Sequence, residues 1–135
     1  MEIVGIVCEY NPLHSGHQKQ FEIIRSELGE DTAIVCLMSG NYVQRGAPAV
    51  FHKSLRAKAA VLAGADLVLE LPFPYSSAPA EIFGGAGVRI ADSLGCVDEL
   101  CFGSETGDIS VLRTLSDRLG EKSFKEALSA YLEKN

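Results

Sequence analysis

Two histidines three residues apart, His14 and His17, flank Gly16 in the segment Glu9-Tyr10-Asn11-Pro12-Leu13-His14-Ser15-Gly16-His17. Residues at that spacing share one helix face, so both imidazoles can address one spot. A helical pattern starting at Gly16 puts that spot beside unpaired backbone amides and the positive end of a helix dipole, which together bind anions. Gly16 lets a phosphate or a flat ring come close to the backbone. Donors held in this way suit the crowded, negative transition state of attack on an α-phosphate, which needs fixed charge complements more than a covalent nucleophile. A zinc pair would call for His-Glu-x-x-His spacing or a third ligand in register, and the segment has neither. The remaining alternative is a pair of exposed histidines that merely open a helix.

The flanking pattern says what must position these residues. Ile3–Cys8 is an apolar run interrupted only by Gly5, as expected of a strand buried on both faces. Ala33–Met38, Leu67–Leu71 and Val97–Phe102 are the other strand-length runs. Helical patterns lie between and after them, at Gly16–Leu28, Lys53–Ala63, Ala80–Leu94, Ile109–Leu119 and Ser123–Lys134. Gly29, Gly64 and Gly95 stand where helix-ending glycines belong. Asp108 can cap the fourth helix, and Ser123 with Glu126 has the spacing of a capping box at the fifth. The order β-α-β-α-β-α-β-α-α predicts an α/β fold, a Rossmann-like three-layer sandwich whose parallel sheet has at least four strands. In such sheets ligands bind beyond the carboxyl ends of the strands, which singles out the loops 9–15, 39–51, 72–79 and 103–107.

Composition narrows the class. With 135 residues, 47% of them hydrophobic, and no linker-like stretch, a single domain over residues 1–135 is expected. No apolar run approaches the ~18–20 residues that span a bilayer. The acidic start Met1-Glu2 does not look like a secretory signal, so a soluble, cytoplasmic protein with no membrane partner is expected. The four cysteines have no metal-knuckle spacing and read as reduced thiols, with no metal site implied. The net charge of −6 argues against a broad nucleic-acid surface. Yet no acidic residue occurs between Asp31 and Asp66, where Arg45, Lys53, Arg56 and Lys58 fall, and this suggests a small anionic ligand.

The other loops add candidates. Ser39-Gly40-Asn41-Tyr42-Val43-Gln44-Arg45-Gly46 is a flexible polar loop able to hold a phosphate or carboxylate, with Arg45 as its cation. Lys53, at the start of the second helix, faces the same mouth, whereas Arg56 and Lys58 read as solvated. Pro72-Phe73-Pro74-Tyr75 is a rigid turn that either walls a pocket or packs in the core. Gly103, after the fourth strand, leaves room for a flat ring against the backbone. Gly84-Gly85-x-Gly87 sits inside a helical stretch and reads as close helix packing.

Taken together, Asn11-Pro12-x-His14-x-Gly16-His17, Met38-Ser39-Gly40, Gln44-Arg45-Gly46-x-Pro48-Ala49, Asp66-Leu67-Val68-Leu69-Glu70-Leu71-Pro72 and Phe102-Gly103-Ser104-Glu105 resemble the tRNA(Met) cytidine acetate ligase family, within the HxGH nucleotidyltransferases. The resemblance runs to about Asp108. It implies ATP-dependent activation of acetate to acetyl-adenylate, with Mg²⁺ accompanying ATP, and transfer of the acetyl group to N4 of the wobble cytidine of elongator tRNA(Met). It implies catalytic roles for His14 and His17. The implied ATP site takes in Val7, Cys8, Glu9, Tyr10, Asn11, Pro12, His14, Gly16, His17, Gln20, Ser39, Gly40, Arg45, Lys53, Phe102 and Gly103. Family members are longer, with further ATP contacts and a tRNA-binding part downstream. Residues 105–135 carry six acidic and five basic side chains, so this chain alone is not expected to grip tRNA. Two alternatives stay open on the residues: another adenylyltransferase acting on a small acceptor, or a non-catalytic nucleotide-binding module.

Overall fold

The computed structural model describes residues 1–134; the last residue of the expected 1–135 domain, Asn135, lies outside the described residues. A first compact unit spans Met1–Phe102 and a second begins at Gly103. In the first unit the order is β1 (Ile3–Cys8), α1 (Ser15–Leu28), β2 (Ala33–Ser39), α2 (Lys53–Ala63), β3 (Leu67–Leu71), α3 (Ala80–Leu94) and β4 (Glu99–Leu100). Short 3₁₀ turns occupy Gln44–Gly46 and Tyr75–Ser77. The four strands are all parallel, in the order β3-β2-β1-β4.

Strand alternation sorts the side chains onto two faces. Val4, Ile6 and Cys8 of β1 and Ile34, Cys36 and Met38 of β2 form one core with Phe21 and Ile24 of α1, Ala60 of α2, and Ala65. Val7 points to the other face, against α3, whose buried residues Phe83, Gly87 and Ala91 recur every four positions. Helices on both faces of a parallel sheet give the expected three-layer α/β sandwich. At the amino ends of the strands, Asp66 ties the start of β2 to α1: its carboxylate accepts from the Ile34 amide at 2.7 Å and from the Arg25 guanidinium at 2.9 Å. The Asp98 carboxylate likewise accepts from the Ile3 amide at 2.8 Å.

Gly29, Gly64 and Gly95 each follow a helix with positive φ, as expected of stop residues. Two local readings are corrected. The fourth strand is not Val97–Phe102 but only Glu99–Leu100, because it pairs on one side alone, with Val4 and Gly5 of β1. Single bonds from the Asp98 amide to Ile3 O and from the Cys101 amide to Gly5 O extend the pairing at its ends. The second unit holds α4 (Ile109–Gly120) and α5 (Lys122–Leu132). Asp108 caps α4, accepting from the Ser110 amide at 2.8 Å. The Ser123–Glu126 capping box does not form, because Glu121 alone separates the two helices and α5 already starts at Lys122.

Candidate active site

The chain lays down β1, β2 and β3 outward, then returns to place β4 on the other side of β1. Strand order therefore reverses between β1 and β4, where open α/β sheets leave a crevice beyond the strand ends. The loop from Glu9 to His14 leaves β1 at that reversal. Tyr10 makes its first turn with φ of 46°, a left-handed conformation that non-glycine residues seldom adopt. Its ring is what holds the turn there: Tyr10 is 2% exposed, its hydroxyl lies 3.4 Å from Cys36 Sγ, and it meets Phe21 edge-on at 6.1 Å. Leu13 packs on the same core, so the loop is pinned at both ends.

The histidines are the termination of α1 as well as its chemistry. His14, not Gly16, opens the helix: it is the N-cap residue, with extended backbone, and its Nδ1 accepts from the Gly16 amide at 3.1 Å. His17 Nδ1 accepts in turn from the His14 amide at 3.2 Å. The two rings stack at 3.7 Å between centroids, 24° apart, and Tyr10 braces His17 edge-on at 4.8 Å. A neutral imidazole that accepts at Nδ1 carries its proton on Nε2. Hydrogen-bond partners thus assign the same tautomer to both rings, with each Nε2–H on the far side from the backbone and without a protein partner among the described residues. The stack places two N–H donors at a helix N-terminus.

Burial, and secondarily the neighbouring His14, pull the pKa of His17 below the ordinary 6.5. The folded chain then binds this proton less readily than the unfolded chain. On acidification the unfolded state is protonated first, so stability falls as pH drops through about 6.5, and the difference becomes constant below the folded-state value. We predict a His17 ring titration, followed by long-range ¹⁵N–¹H NMR, with its midpoint below 6.5 and an unprotonated Nδ1 at neutral pH. A midpoint at or above 6.5 would count against the bracing described here.

The remaining candidates are placed as follows. Glu9 Oε1 accepts from the Gln44 amide at 2.7 Å, and Asn11 Oδ1 accepts from the Val50 amide at 2.7 Å, so the loops after β1 and β2 are tied together. Pro12 follows Asn11 through a cis peptide bond. Val7 faces α3, and Cys8 is buried with its thiol pKa pushed up by that burial. Gln20 Nε2 lies 3.4 Å from Cys101 Sγ and bridges α1 to the residue following β4, while Phe102 is exposed next to it. Gly103 is exposed at the start of the second unit. Ser39 and Gly40 are buried at the end of β2. A Cβ on Gly40 would sit 2.4 Å from Glu70 Oε1, so glycine is what lets that carboxylate lie over the strand end. Lys53 is the first residue of α2 and pairs with Glu70 at 2.5 Å, which commits its charge to the end of β3. Arg45 is exposed on the 3₁₀ turn, with φ of 64°.

Arg56 corrects the sequence reading. It is not solvated but 2% exposed, with its guanidinium under the ends of β1 and β2. The missed signal is its position four residues before Ala60, on the buried stripe of α2. Lys58, off that stripe, is exposed as expected. Gly87 does pack closely, but Gly84 and Gly85 meet open space. The four cysteines are free thiols, two of them buried. Among the described residues no group of three His, Cys, Asp or Glu side chains could hold a metal ion, and no helix is long and apolar enough to cross a membrane.

A parallel sheet with a histidine-capped helix at its strand-order reversal is the α/β architecture present, and the chain belongs to the HIGH nucleotidyl transferase family, whose model matches residues 1–135. It is similar to the tRNA(Met) cytidine acetate ligase of Acetivibrio thermocellus, 44% identical over 98% of this chain and 32% of that protein. The ligase of Clostridium novyi is 43% identical over 99% of this chain and 34% of its own length. Among solved structures, Thermotoga maritima TmcAL bound with alpha-thio ATP matches all of this chain and 33% of its own at 36% identity, with a TM-score of 0.86. The chain spans about a third of the length of the curated relatives it matches.

Proposed function

We propose that this chain is the ATP-handling part of a tRNA(Met) cytidine acetate ligase. In this reading the triphosphate lies against the N-terminus of α1. An acetate oxygen attacks the α-phosphorus, the bond to the β-phosphate breaks, and acetyl-adenylate and pyrophosphate result. N4 of the wobble cytidine of elongator tRNA(Met) then attacks the acetyl carbonyl, the bond to the adenylate oxygen breaks, and AMP and a proton leave. The observation that carries the reading is the stacked pair of His14 and His17, each with Nδ1 held by a backbone amide and Nε2–H left to donate before any ligand arrives. Donors organised in advance cost no rearrangement as charge builds on the phosphate. The complex of the Thermotoga maritima relative with alpha-thio ATP supports ATP as the nucleotide.

Glu9 and Asn11 then hold the loop, and Gln20 and Phe102 edge the crevice. Ser39, Gly40 and Lys53 act from beneath or beside the phosphates, and Arg45 orients acetate or the outer phosphates. Mg²⁺ enters on the triphosphate as part of the substrate, keeping several waters, as this ion usually does. The acidic balance of residues 105–135 makes tRNA acetylation by the 135-residue chain weak or absent. Calorimetry tests the reading. Wild-type chain binds ATP, and His17→Ala weakens binding roughly tenfold to a hundredfold, the value of a hydrogen bond to a charged group. Equal binding by both proteins would remove His17 from the site.

A further inference from the structure

Arg56 is the most thoroughly engaged side chain in the molecule, and the chemistry proposed above does not use it. Its Nε donates to Phe51 O at 3.1 Å. One terminal nitrogen donates to Glu9 O and, at 3.5 Å, to Ser39 Oγ. The other donates to Ser39 O at 3.0 Å and to Gly40 O. A guanidinium has five N–H donors in a fixed planar fork, and here there are five acceptors for them. They come from the end of β1, the end of β2 and the approach to α2, three segments far apart in sequence. Among the described residues Arg56 makes no ion pair: its direct partners are four backbone carbonyls and the Ser39 hydroxyl, while Glu9 and Glu70 act on its charge only through space.

That arrangement has an electrostatic consequence. Backbone carbonyls at the carboxyl ends of parallel strands carry partial negative charge where this fold binds its ligand, and a triphosphate is repelled by them. Arg56 gathers the carbonyls of Glu9, Ser39 and Gly40 onto one cation. We propose that Arg56 is a positioning residue for the phosphate site: it clamps the base of the histidine loop through Glu9 and makes the strand ends electropositive toward the polyphosphate of a nucleotide. This rests on the ATP reading given above and adds to it the source of the site's selectivity for phosphate over the nucleoside alone.

The test is the ratio of ATP to adenosine affinity in Arg56→Met and Arg56→Lys, measured by calorimetry on the whole chain after circular dichroism shows native helix content. Loss of packing alone weakens both ligands together and leaves the ratio unmoved. Removal of the charge in Arg56→Met lowers the ratio by about tenfold, the size of one unit charge acting on another about 12 Å away through an effective dielectric of about 20. Arg56→Lys keeps the charge but cannot reproduce the fork, so both affinities fall while the ratio stays within about threefold of wild type. A wild-type ratio in Arg56→Met, or an equal drop in both variants, overturns the proposal. Should Arg56→Met fail to fold, Arg56→Gln takes its place: a ratio about tenfold below wild type supports the charge role and a wild-type ratio refutes it. If the wild-type chain binds no ATP, it is the underlying functional reading that fails.

Discussion

Phe21→Ala is expected to destabilise the first unit by about 3–5 kcal/mol, the cost of removing a fully buried aromatic ring whose cavity refills only in part. Phe21 is 1% exposed and sits at the centre of the core between α1 and the sheet. Its loss reaches the site through a short chain of contacts, since Phe21 braces Tyr10 and Tyr10 braces His17. Tyr10 holds a left-handed backbone turn that only surrounding packing maintains, so removing one side of that packing loosens the loop carrying both histidines. ATP affinity should therefore fall in Phe21→Ala even at temperatures where the helix signal is intact. Urea denaturation gives the stability change, with Leu115→Ala on α4, 53% exposed, as a control expected within about 0.5 kcal/mol of wild type. A loss under about 1 kcal/mol for Phe21→Ala would mean the core is not built as described.

Gly87→Val should cost about 1–3 kcal/mol or more through overpacking. A Cβ at Gly87 would lie 2.4 Å and 2.6 Å from the two methyls of Val7, so α3 must lift from the sheet to accept it. Helix propensity pulls the other way, since replacing a helical glycine by alanine gains up to about 1 kcal/mol where nothing is in the way. The same Gly→Ala change is therefore expected to stabilise at Gly84 or Gly85, which meet open space, and to destabilise at Gly87. Val7→Ala should partly rescue Gly87→Val, because it removes the methyls that the new side chain strikes. A double-mutant cycle with additive effects would place the contact elsewhere. Val7 lies two residues before Glu9, so the strain is delivered next to the histidine loop.

Most of the fold was legible because the strands of a buried parallel sheet are runs of apolar residues that no other element explains, and the glycines after α1, α2 and α3 mark their ends without ambiguity. The β4 reading was too long because residue type does not tell how far a neighbour continues alongside: ladder pairing ends at Leu100, and Phe102 is exposed. The site was legible in its histidines, whose spacing makes sense at a helix start. Their capping role was not, since an imidazole is not among the side chains that usually cap helices; only the geometry shows His14 Nδ1 meeting the Gly16 amide. Arg56 was misread for a related reason. Arginine on a helix is normally solvated, and its burial depends on five acceptors supplied by segments that no local pattern links to it. Lys53 was placed correctly at the head of α2, but its partner Glu70 lies on β3, and only the fold brings the two together.

The central claim is that two neutral, stacked imidazoles at the head of α1 receive the triphosphate of ATP. A crystal structure of the chain with a non-hydrolysable ATP analogue tests it most directly. Nε2 of both His14 and His17 is expected within hydrogen-bonding distance of phosphate oxygens, with Nδ1 still bound to backbone amides. A nucleotide seated elsewhere, with both rings turned to solvent, would contradict it.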